Sequence, residues 1–428
     1  MARAMKDSGI EWIGEIPEGW EVDKTKHYYT THKDVAGNRS EEFERLALTL
    51  NGVIKRPKDD STGLQPEAFN GYQILRSGEL VFKLIDLENV STSRVGYSPF
   101  TGIVSPAYII LQPNKAEESL YGVYYFLSMW QREILNHMGD DGVRSSLNAS
   151  DLLNIPYLKV PNDEKEKIVS FLDTECAQID AVIEQTRASI EEYKKLKQSV
   201  TTQAVTKGIR PGRKMKDSGV EWIGDIPEEW QITKMKYISS SIGDGLHAAP
   251  EFDANGSYYF INGNNLGDKQ IKIKKNTNSV SEEEYSNYNQ PVLYLSAILI
   301  ALNGTYGLVS FYQGEKIMLG KSAGFINLFP NINRSYVRYA LLSDYSKKQM
   351  DDSLMGTTIA NISLRSIRNI AITWPSENEQ EEISLFLDST CDELDKLIVE
   401  KTQVVNELES YKKSLIYEYV TGKKVVVQ

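Results

Sequence analysis

Two long stretches of the chain carry apolar residues at alternating steps of four and three. One series covers ten positions from 172 to 204, and the other covers the ten positions 215 residues later. Eight of the ten positions are apolar in each series, and the polar interruptions match, Thr186 with Lys401 and Lys197 with Lys412. A sustained 3.5-residue apolar repeat predicts the seam of a coiled coil. The predicted seam residues are Leu172, Ile179, Ile183 and Ile190 in the first helix and Leu387, Leu394, Ile398 and Val405 in the second.

Prolines and glycines bound each helical stretch. Pro161 and Pro375 stand where the helices would begin, and Gly208 and Gly422 stand where they would end. A helix over about 164–206 would be roughly 64 Å long. Because only about eighteen residues separate the first helix from the next variable stretch, that stretch should lie near the C-terminal end of the first helix. The two helices are therefore expected to run antiparallel.

The chain is a tandem duplication. Residues 5–22 and 215–232 are identical at thirteen of eighteen positions, and residues 171–180 recur as residues 386–395. Blocks of this length do not recur by chance. Between the repeated blocks the two variable stretches share little sequence. A frame that is kept twice around inserts that differ is typical of a scaffold with two different binding units.

The variable stretches mix strand-like and helix-like patterns. Short apolar runs predict strands, and one amphipathic helix is predicted in each stretch, Leu120 to Met138 and Ser335 to Met350. The fold class expected is α+β, with two globular domains separated by a long antiparallel coiled coil of two helices and an internal pseudo-twofold repeat. The expected domains are residues 1–160 (a W-I-G segment and the first variable domain), 161–209 (the first long helix), 210–374 (the second W-I-G segment and variable domain) and 375–428 (the second long helix).

The distribution of charge adds to this picture more than the overall composition does. An apolar fraction of 41% with 25% charged residues is that of an ordinary globular protein. The net charge of −11 argues mildly against a nucleic-acid partner, although residues 227–374 carry a net +1 against −4 for residues 17–160. Two cysteines, and a first thirty residues without an apolar run, predict a cytoplasmic protein with no membrane partner.

The candidate chemical motifs do not form an active site. The four histidines lack metal-ligand spacing. The segment from Gly314 to Ser322 resembles a phosphate-binding loop, but its spacing is one residue too long. A strand is also predicted after it, where a phosphate-binding loop has a helix. We therefore expect no catalytic residue, no metal site and no cofactor bound by this chain.

Basic and polar residues cluster in the predicted loops. Arginine and lysine suit phosphate oxygens and guanine edges, and asparagine suits adenine edges. Any one of these side chains can equally be a solvated surface charge, but the clusters favour contact with DNA. The predicted DNA-contacting residues are Lys55, Arg56, Lys58, Lys83, Arg94 and Arg144 in the first variable stretch and Lys269, Lys272, Lys274, Lys275, Asn303 and Lys321 in the second.

Several repeated motifs, in their order along the chain, resemble one known family. They are the paired W-I-G-x-I-P-x-x-W segments that begin at Trp12 and Trp222, the F-L-D helix starts at Phe171 and Phe386, and the Y-K-K and V-T segments towards the helix ends. Together they cover the whole chain. They resemble the specificity subunit of type I restriction–modification enzymes.

This resemblance implies a DNA-binding subunit that is not itself an enzyme. In the family, two target-recognition domains each read one half of a split, asymmetric DNA site. The antiparallel helices set the gap between the halves and dock two methyltransferase subunits. Those partners carry S-adenosylmethionine and methylate adenine, while restriction subunits, which are motor nucleases, cleave the DNA, and ATP and Mg are expected on the partner subunits. The frame residues, which do not read DNA, are Trp12-Ile13-Gly14, Trp222-Ile223-Gly224, Phe171-Leu172-Asp173 and Phe386-Leu387-Asp388.

Two other interpretations stay open at the level of sequence. One is a DNA-binding module that works with a methyltransferase alone, without a nuclease, which the sequence does not separate from the main interpretation. The other is a scaffold that binds no DNA, in which a coiled coil joins two protein-binding domains. The acidic total charge favours this scaffold, whereas two unlike inserts on one frame favour paired readers of an asymmetric target.

Overall fold

The chain forms two compact units. The computed structural model describes residues 3–60, 66–85, 87, 93–138, 146–267, 269–354 and 361–426. Unit 1 comprises Met1–Arg187 and Gln403–Gln428, and unit 2 comprises Ala188–Thr402. Each unit therefore contains one variable stretch and part of both long helices. In the described part of the chain, no helix is long and apolar enough to cross a membrane.

Both long helices are continuous. Up to the end of the first, the elements are β1 (Met5–Asp7), β2 (Glu15–Pro17), β3 (Glu21–Lys24), β4 (Tyr29–His32), β5 (Arg45–Thr49), β6 (Gly52–Arg56), β7 (Gln73–Leu75), β8 (Leu80–Phe82), β9 (Val95–Tyr97), β10 (Gly102–Val104), β11 (Ile109–Pro113), α1 (Glu117–Gln131), α2 (Ala149–Asn154), β12 (Pro156–Lys159) and α3 (Asn162–Lys207). The remaining elements are β13 (Met215–Asp217), β14 (Asp225–Pro227), β15 (Gln231–Lys234), β16 (Ser239–Asp244), β17 (Tyr258–Ile261), β18 (Ser279–Val280), α4 (Glu282–Ser286), β19 (Ala297–Ala301), β20 (Val309–Phe311), β21 (Ile317–Leu319), β22 (Ala323–Leu328), α5 (Arg334–Leu342), α6 (Asp344–Asp352), α7 (Leu364–Asn369), β23 (Ala371–Trp374) and α8 (Glu377–Val420). With 46 and 44 residues, α3 and α8 are about 69 and 66 Å long.

The two units are built to the same plan. An antiparallel sheet of four strands has the order β4-β11-β8-β9 in unit 1 and β16-β22-β19-β20 in unit 2. Each unit also contains a parallel strand pair, β5 with β10 in unit 1 and β17 with β21 in unit 2. A further antiparallel pair joins the start of each variable stretch to its end, β3 with β12 and β15 with β23. The α+β fold class and the internal repeat are therefore confirmed, although the variable stretches share little sequence.

Within each unit the two long helices run antiparallel, as predicted. In unit 1, the ring of Phe171 on α3 packs against that of Tyr419 on α8, with centroids 4.4 Å apart and the planes tilted by 35°. Further along α3, Asp180 accepts hydrogen bonds from Lys412, which precedes Tyr419 on α8. Every predicted seam position is buried or half-buried. In unit 2, Lys197 with Asp395 is the contact that corresponds to Lys412 with Asp180, and Thr201 also contacts Cys391 across the helices.

Two cross-helix ion pairs explain polar interruptions of the seam. Lys412 of α8 reaches Asp180 of α3, and Lys197 of α3 reaches Asp395 of α8, with Nζ 2.6 Å from Oδ2 in both pairs. The same contact is therefore made twice with the roles of the helices exchanged. A polar group in an apolar seam lowers stability but fixes the register and orientation of the helices. These lysines thus favour the antiparallel register.

Repeated frame residues fasten each variable domain to its long helix. Glu164, in the first turn of α3, binds the guanidinium group of Arg3 at 2.8 and 2.9 Å and accepts the indole N–H of the buried Trp20. Asp173 of the F-L-D motif accepts a hydrogen bond from the hydroxyl of Tyr124 on α1 at 2.6 Å. The corresponding residues of unit 2 are Glu379, Arg213 and Trp230, and Asp388 with Tyr339.

The predicted bounds of two helices in the variable stretches are wrong. The helix predicted from Leu120 to Met138 is α1, which ends at Gln131, because Glu133 adopts a left-handed φ of 60°. The helix predicted from Ser335 to Met350 is two helices, α5 and α6. They are separated because Ser343 is extended, with ψ of 158°, and its side chain caps α6.

Candidate nucleic-acid interface

Three loops of unit 2 are joined by hydrogen bonds beyond the ends of its strands, and a fourth lies beside them because Leu302, just before it, donates its N–H to the carbonyl oxygen of Ser322 at 2.9 Å. We call residues 245–247, 262–267, 303–307 and 320–322 the unit 2 loop cluster. Leu246 forms an isolated bridge with Gly320. Ser322 Oγ accepts the N–H of Gly263 and donates to Oδ1 of Asn262, both at 2.9 Å. These bonds fix the loops against one another, which is what a binding surface on a rigid scaffold requires.

The close approach of these loops depends on glycine. A Cβ atom at Gly245 would lie 2.0 Å from the carbonyl oxygen of Leu319. A Cβ atom at Gly320 would lie 2.4 Å from Oδ1 of Asn262. Because the atom facing Gly245 is backbone, that position needs a residue without a side chain, whereas a side chain at position 320 would displace that of Asn262. The glycines thereby bring the polar side chains of different loops together.

The cluster presents amide, imidazole and ammonium groups. Lys321 and His247 are exposed, and His247 Nε2 lies 2.8 Å from the carboxylate of Asp244. Asn303 is half-buried and forms an isolated bridge with Asn361. An asparagine side chain both donates and accepts, as the edge of adenine does, and a lysine suits phosphate. The segment from Gly314 to Ser322, which resembles a phosphate-binding loop, contains β21 and is followed by β22, so a strand and not a helix follows Lys321.

The lysine-rich segment that follows residues 262–267 begins with an anchored residue. Lys269 binds the carboxylates of Asp392 and Asp388 on α8, at 2.8 and 3.0 Å from its Nζ. Burial lowers the pKa of Lys269, but these hydrogen bonds outweigh that effect and raise it overall. Its charge is thus used within unit 2. The next three predicted residues, Lys272, Lys274 and Lys275, are exposed.

In unit 1 the predicted basic residues are held by the protein itself. Arg94 is 0% exposed, so its side chain is not accessible to a ligand in this conformation, and Lys83 is half-buried. Arg144 lies outside the described residues. The remaining three form ion pairs, Lys55 with Glu44 at 2.5 Å, Arg56 with Asp60 at 2.7 Å and Lys58 with Glu41 at 3.0 Å.

Arginines of unit 1 also converge on one tyrosine. Burial raises the pKa of the Tyr108 hydroxyl, although the guanidinium groups of Arg94, Arg45 and Arg56 act in the opposite direction. Arg45 is buried and lies over the ring of Phe69. Unit 1 therefore encloses the guanidinium groups of Arg45 and Arg94, whereas unit 2 exposes the ammonium group of Lys321.

Sequence reasoning missed one residue of the unit 2 loop cluster, His247, and one residue that bridges to it, Asn361. His247 was considered only as a metal ligand, and Asn361 was not considered. The signal for His247 is the pair Gly243 and Gly245 just before it, which marks a close backbone approach. Asn361 carries no such signal, because its bridge to Asn303 joins residues far apart in the sequence.

Neither metal-ligating groups nor reactive thiols stand out in the described part of the chain. Within it, no group of three or more His, Cys, Asp or Glu side chains is arranged to hold a metal ion. Both cysteines are buried at equivalent seam positions. Burial raises the pKa of the Cys176 thiol to about 11 and also raises that of Cys391. Both thiols are therefore protonated at neutral pH, as expected of seam residues.

Comparisons with known proteins point to one family. Residues 227–409 match the model of the type I restriction modification DNA specificity domain. The MjaVIII specificity subunit of Methanocaldococcus jannaschii, a type I restriction enzyme subunit, is 26% identical, over 95% of this chain and 93% of that protein. The putative MjaX specificity subunit of the same organism is 24% identical, over 96% and 95%.

A solved structure shares the fold. That structure was solved in a study titled "Structural basis underlying complex assembly and conformational transition of the type I R-M system". The match covers 96% of this chain and 99% of that one. The TM-score is 0.69 at 14% sequence identity, so the likeness shows the fold alone. Specificity subunits are non-catalytic, and other subunits methylate and cleave. The resemblance predicted from the repeated motifs is thus confirmed: the chain is related over nearly its whole length to the specificity subunits of type I restriction–modification enzymes.

Proposed function

We propose that this chain reads a bipartite, asymmetric DNA site through its two units. The observation that carries the proposal is that both units share a four-stranded antiparallel sheet of the same strand order but present different chemistry at their loops. Two copies of one reader would select two identical half-sites, whereas two unlike readers select two different ones. Unit 2 exposes Lys321 and leaves Asn303 half-buried, while Arg94 is enclosed in unit 1. Amide and ammonium groups are those that contact base edges and phosphates.

The same proposal assigns the long helices to partner docking. Apolar side chains remain exposed on these helices outside the seam, and exposed apolar surface marks sites of protein association. They are Val182, Val404 and Tyr411 in unit 1 and Leu196, Leu397 and Val399 in unit 2. Two methyltransferase subunits would bind these faces, with restriction subunits joining through them. S-adenosylmethionine, ATP and Mg would then belong to the partners, in the cytoplasm.

The proposal is tested by selection from random DNA. The full chain, in complex with its methyltransferase subunit, is mixed with a library of random duplexes, and the bound fraction is sequenced after several rounds. A DNA reader enriches two short defined sequences separated by a gap of constant length. If the complex enriches no sequence beyond those that the methyltransferase subunit enriches alone, the result would favour the scaffold that joins two protein-binding domains.

A further inference from the structure

We infer that unit 2 supplies most of the phosphate contacts to DNA, while unit 1 contributes few. This inference rests on the proposed function and adds to it an unequal division of the electrostatic contacts. It follows from a difference in how the predicted DNA-contacting lysines and arginines of the two units are partnered. It also predicts which unit makes binding sensitive to salt.

The lysine-rich segment of unit 2 is held in place beside the unit 2 loop cluster. The N–H of Lys272 donates to the carbonyl oxygen of Asn265 at 2.7 Å, and Nδ2 of Asn265 donates back to the carbonyl oxygen of Lys272 at 3.1 Å. Asn265 also closes the turn at Asn262, which is bonded to Ser322. Lys272 therefore stands next to the cluster in the folded chain.

The other two lysines of this segment stand at a turn. The N–H of Lys274 donates to Oγ1 of Thr277 at 2.8 Å, and the N–H of Thr277 donates to the carbonyl oxygen of Lys274 at 3.0 Å. Lys275 lies within this turn. Within the described part of unit 2, no carboxylate forms an ion pair with Lys272, Lys274 or Lys275. Their charges are thus available to an anionic partner.

Unit 1 offers a set of the same size that is already paired. Lys55, Arg56 and Lys58 each lie within 3.0 Å of a carboxylate of their own unit. A phosphate would have to replace that carboxylate, and the displaced carboxylate would remain nearby and repel the DNA. An exposed ion pair is weak, so this exchange is possible, but it releases fewer counterions than contact by an unpaired lysine.

The balance of charge points the same way. Residues 17–160 contain 15 basic and 19 acidic residues, and residues 227–374 contain 14 basic and 13 acidic residues. Within residues 262–278 there are four lysines and one aspartate. Because DNA is drawn to local positive potential, the segment in unit 2 is the part of the two variable domains best suited to phosphates.

The test compares two matched triple variants of the full chain in complex with its methyltransferase subunit. One is K272A/K274A/K275A in unit 2, and the other is K55A/R56A/K58A in unit 1. Affinity for a duplex that carries the selected site is measured by fluorescence anisotropy at several salt concentrations. Each lost phosphate contact reduces the slope of log affinity against log salt by about 0.9.

For the unit 2 variant we expect a slope smaller by up to about 2.7. A fourfold rise in salt would then weaken the wild type about 40-fold more than this variant. For the unit 1 variant, the loss of affinity caused by the same rise in salt should differ from that of the wild type by less than about 4-fold. Equal changes in the two variants, or an unchanged slope for the unit 2 variant, would overturn the inference.

Controls separate this inference from folding and from the proposed function. Melting temperatures of both variants are measured, and the pair variants K272A/K274A and K55A/K58A repeat the comparison without Arg56, which contacts Asp60. If the wild-type complex selects no site at all, the proposed function fails. If it selects a site but the slopes are equal, only the unequal division of phosphate contacts is refuted.

Discussion

Removing one partner of the ion pair between Glu118 and Lys165 should destabilise unit 1 and leave unit 2 unchanged. The pair joins α1 to α3, with the side chains of Lys165 and Glu118 only 3% and 5% exposed. The Tyr157 hydroxyl also donates to Glu118, at 2.9 Å. In E118Q the ammonium group of Lys165 loses its counter-charge but stays buried. Breaking a buried pair in this way costs about 3–5 kcal/mol.

The duplication supplies the matched rescue variant. At the positions 215 residues later, unit 2 has Asn333 in place of Glu118 and Gln380 in place of Lys165, so the same frame folds without this charge pair. In unit 2 the side chain of Gln380 is buried and donates to the carbonyl oxygen of Pro375 at 3.0 Å. The double variant E118Q/K165Q removes both charges together. It should therefore recover most of the stability lost in E118Q.

Hydrogen exchange measured by mass spectrometry resolves the two units in one experiment. A loss of about 3–5 kcal/mol raises the opening equilibrium of α1 in E118Q by roughly two to three and a half orders of magnitude, at 1.4 kcal/mol per decade. Exchange of α5 in unit 2 should match the wild type in every variant. Protection of α1 that is the same in E118Q and in the double variant would refute the reasoning, as would equal losses in α1 and α5.

Replacing both Ile183 and Ile398 with Asp places two carboxylates in the apolar seam, which lowers the stability of the helix pair by several kcal/mol if they stay unpaired. A methyltransferase subunit should then no longer co-purify. Co-purification of a normal complex would contradict the assignment of these two residues to the seam. Lys412→Asp should lower the free energy of unfolding by about 1 kcal/mol, seen as a lower melting temperature, because this half-exposed pair is screened; adding Asp180→Lys should restore most of the loss. No recovery in the double variant would show that the two residues do not couple. The fragment 1–209 should form a symmetric dimer that selects an interrupted palindrome, since one helix alone leaves its seam exposed. A monomer in light scattering would count against the two-unit account.

The frame of the molecule could be predicted from the sequence because its signals are local or repeated. The seam follows from spacing along one helix, and the structure buries or half-buries every position of it. The antiparallel direction followed from the short connection between the first helix and the next domain. The partners of Lys197 and Lys412 could not be predicted, because Asp395 and Asp180 lie on the opposite helix, outside the apolar series.

The loop chemistry was less predictable because it depends on contacts between distant residues. Arg94 and Lys55 look alike in the sequence, yet the structure buries the first and exposes the second beside Glu44. The unit 2 loop cluster arises from strand pairs such as the parallel contact of β17 with β21, which no local pattern specifies. The proposed DNA contacts, including those of Lys272 and Asn303, remain predictions.

Mapping methylated adenines tests the central claim most directly. The genome of a host that expresses this chain with its methyltransferase subunit is sequenced by a method that detects N6-methyladenine, beside a host with the methyltransferase subunit alone. We predict methylation at one asymmetric motif of two defined halves separated by a gap of constant length. We further predict that Asn303→Ala relaxes a base in only one half. Methylation at a single uninterrupted motif, or no methylation beyond that of the methyltransferase subunit alone, would contradict the claim that two unlike units read two half-sites.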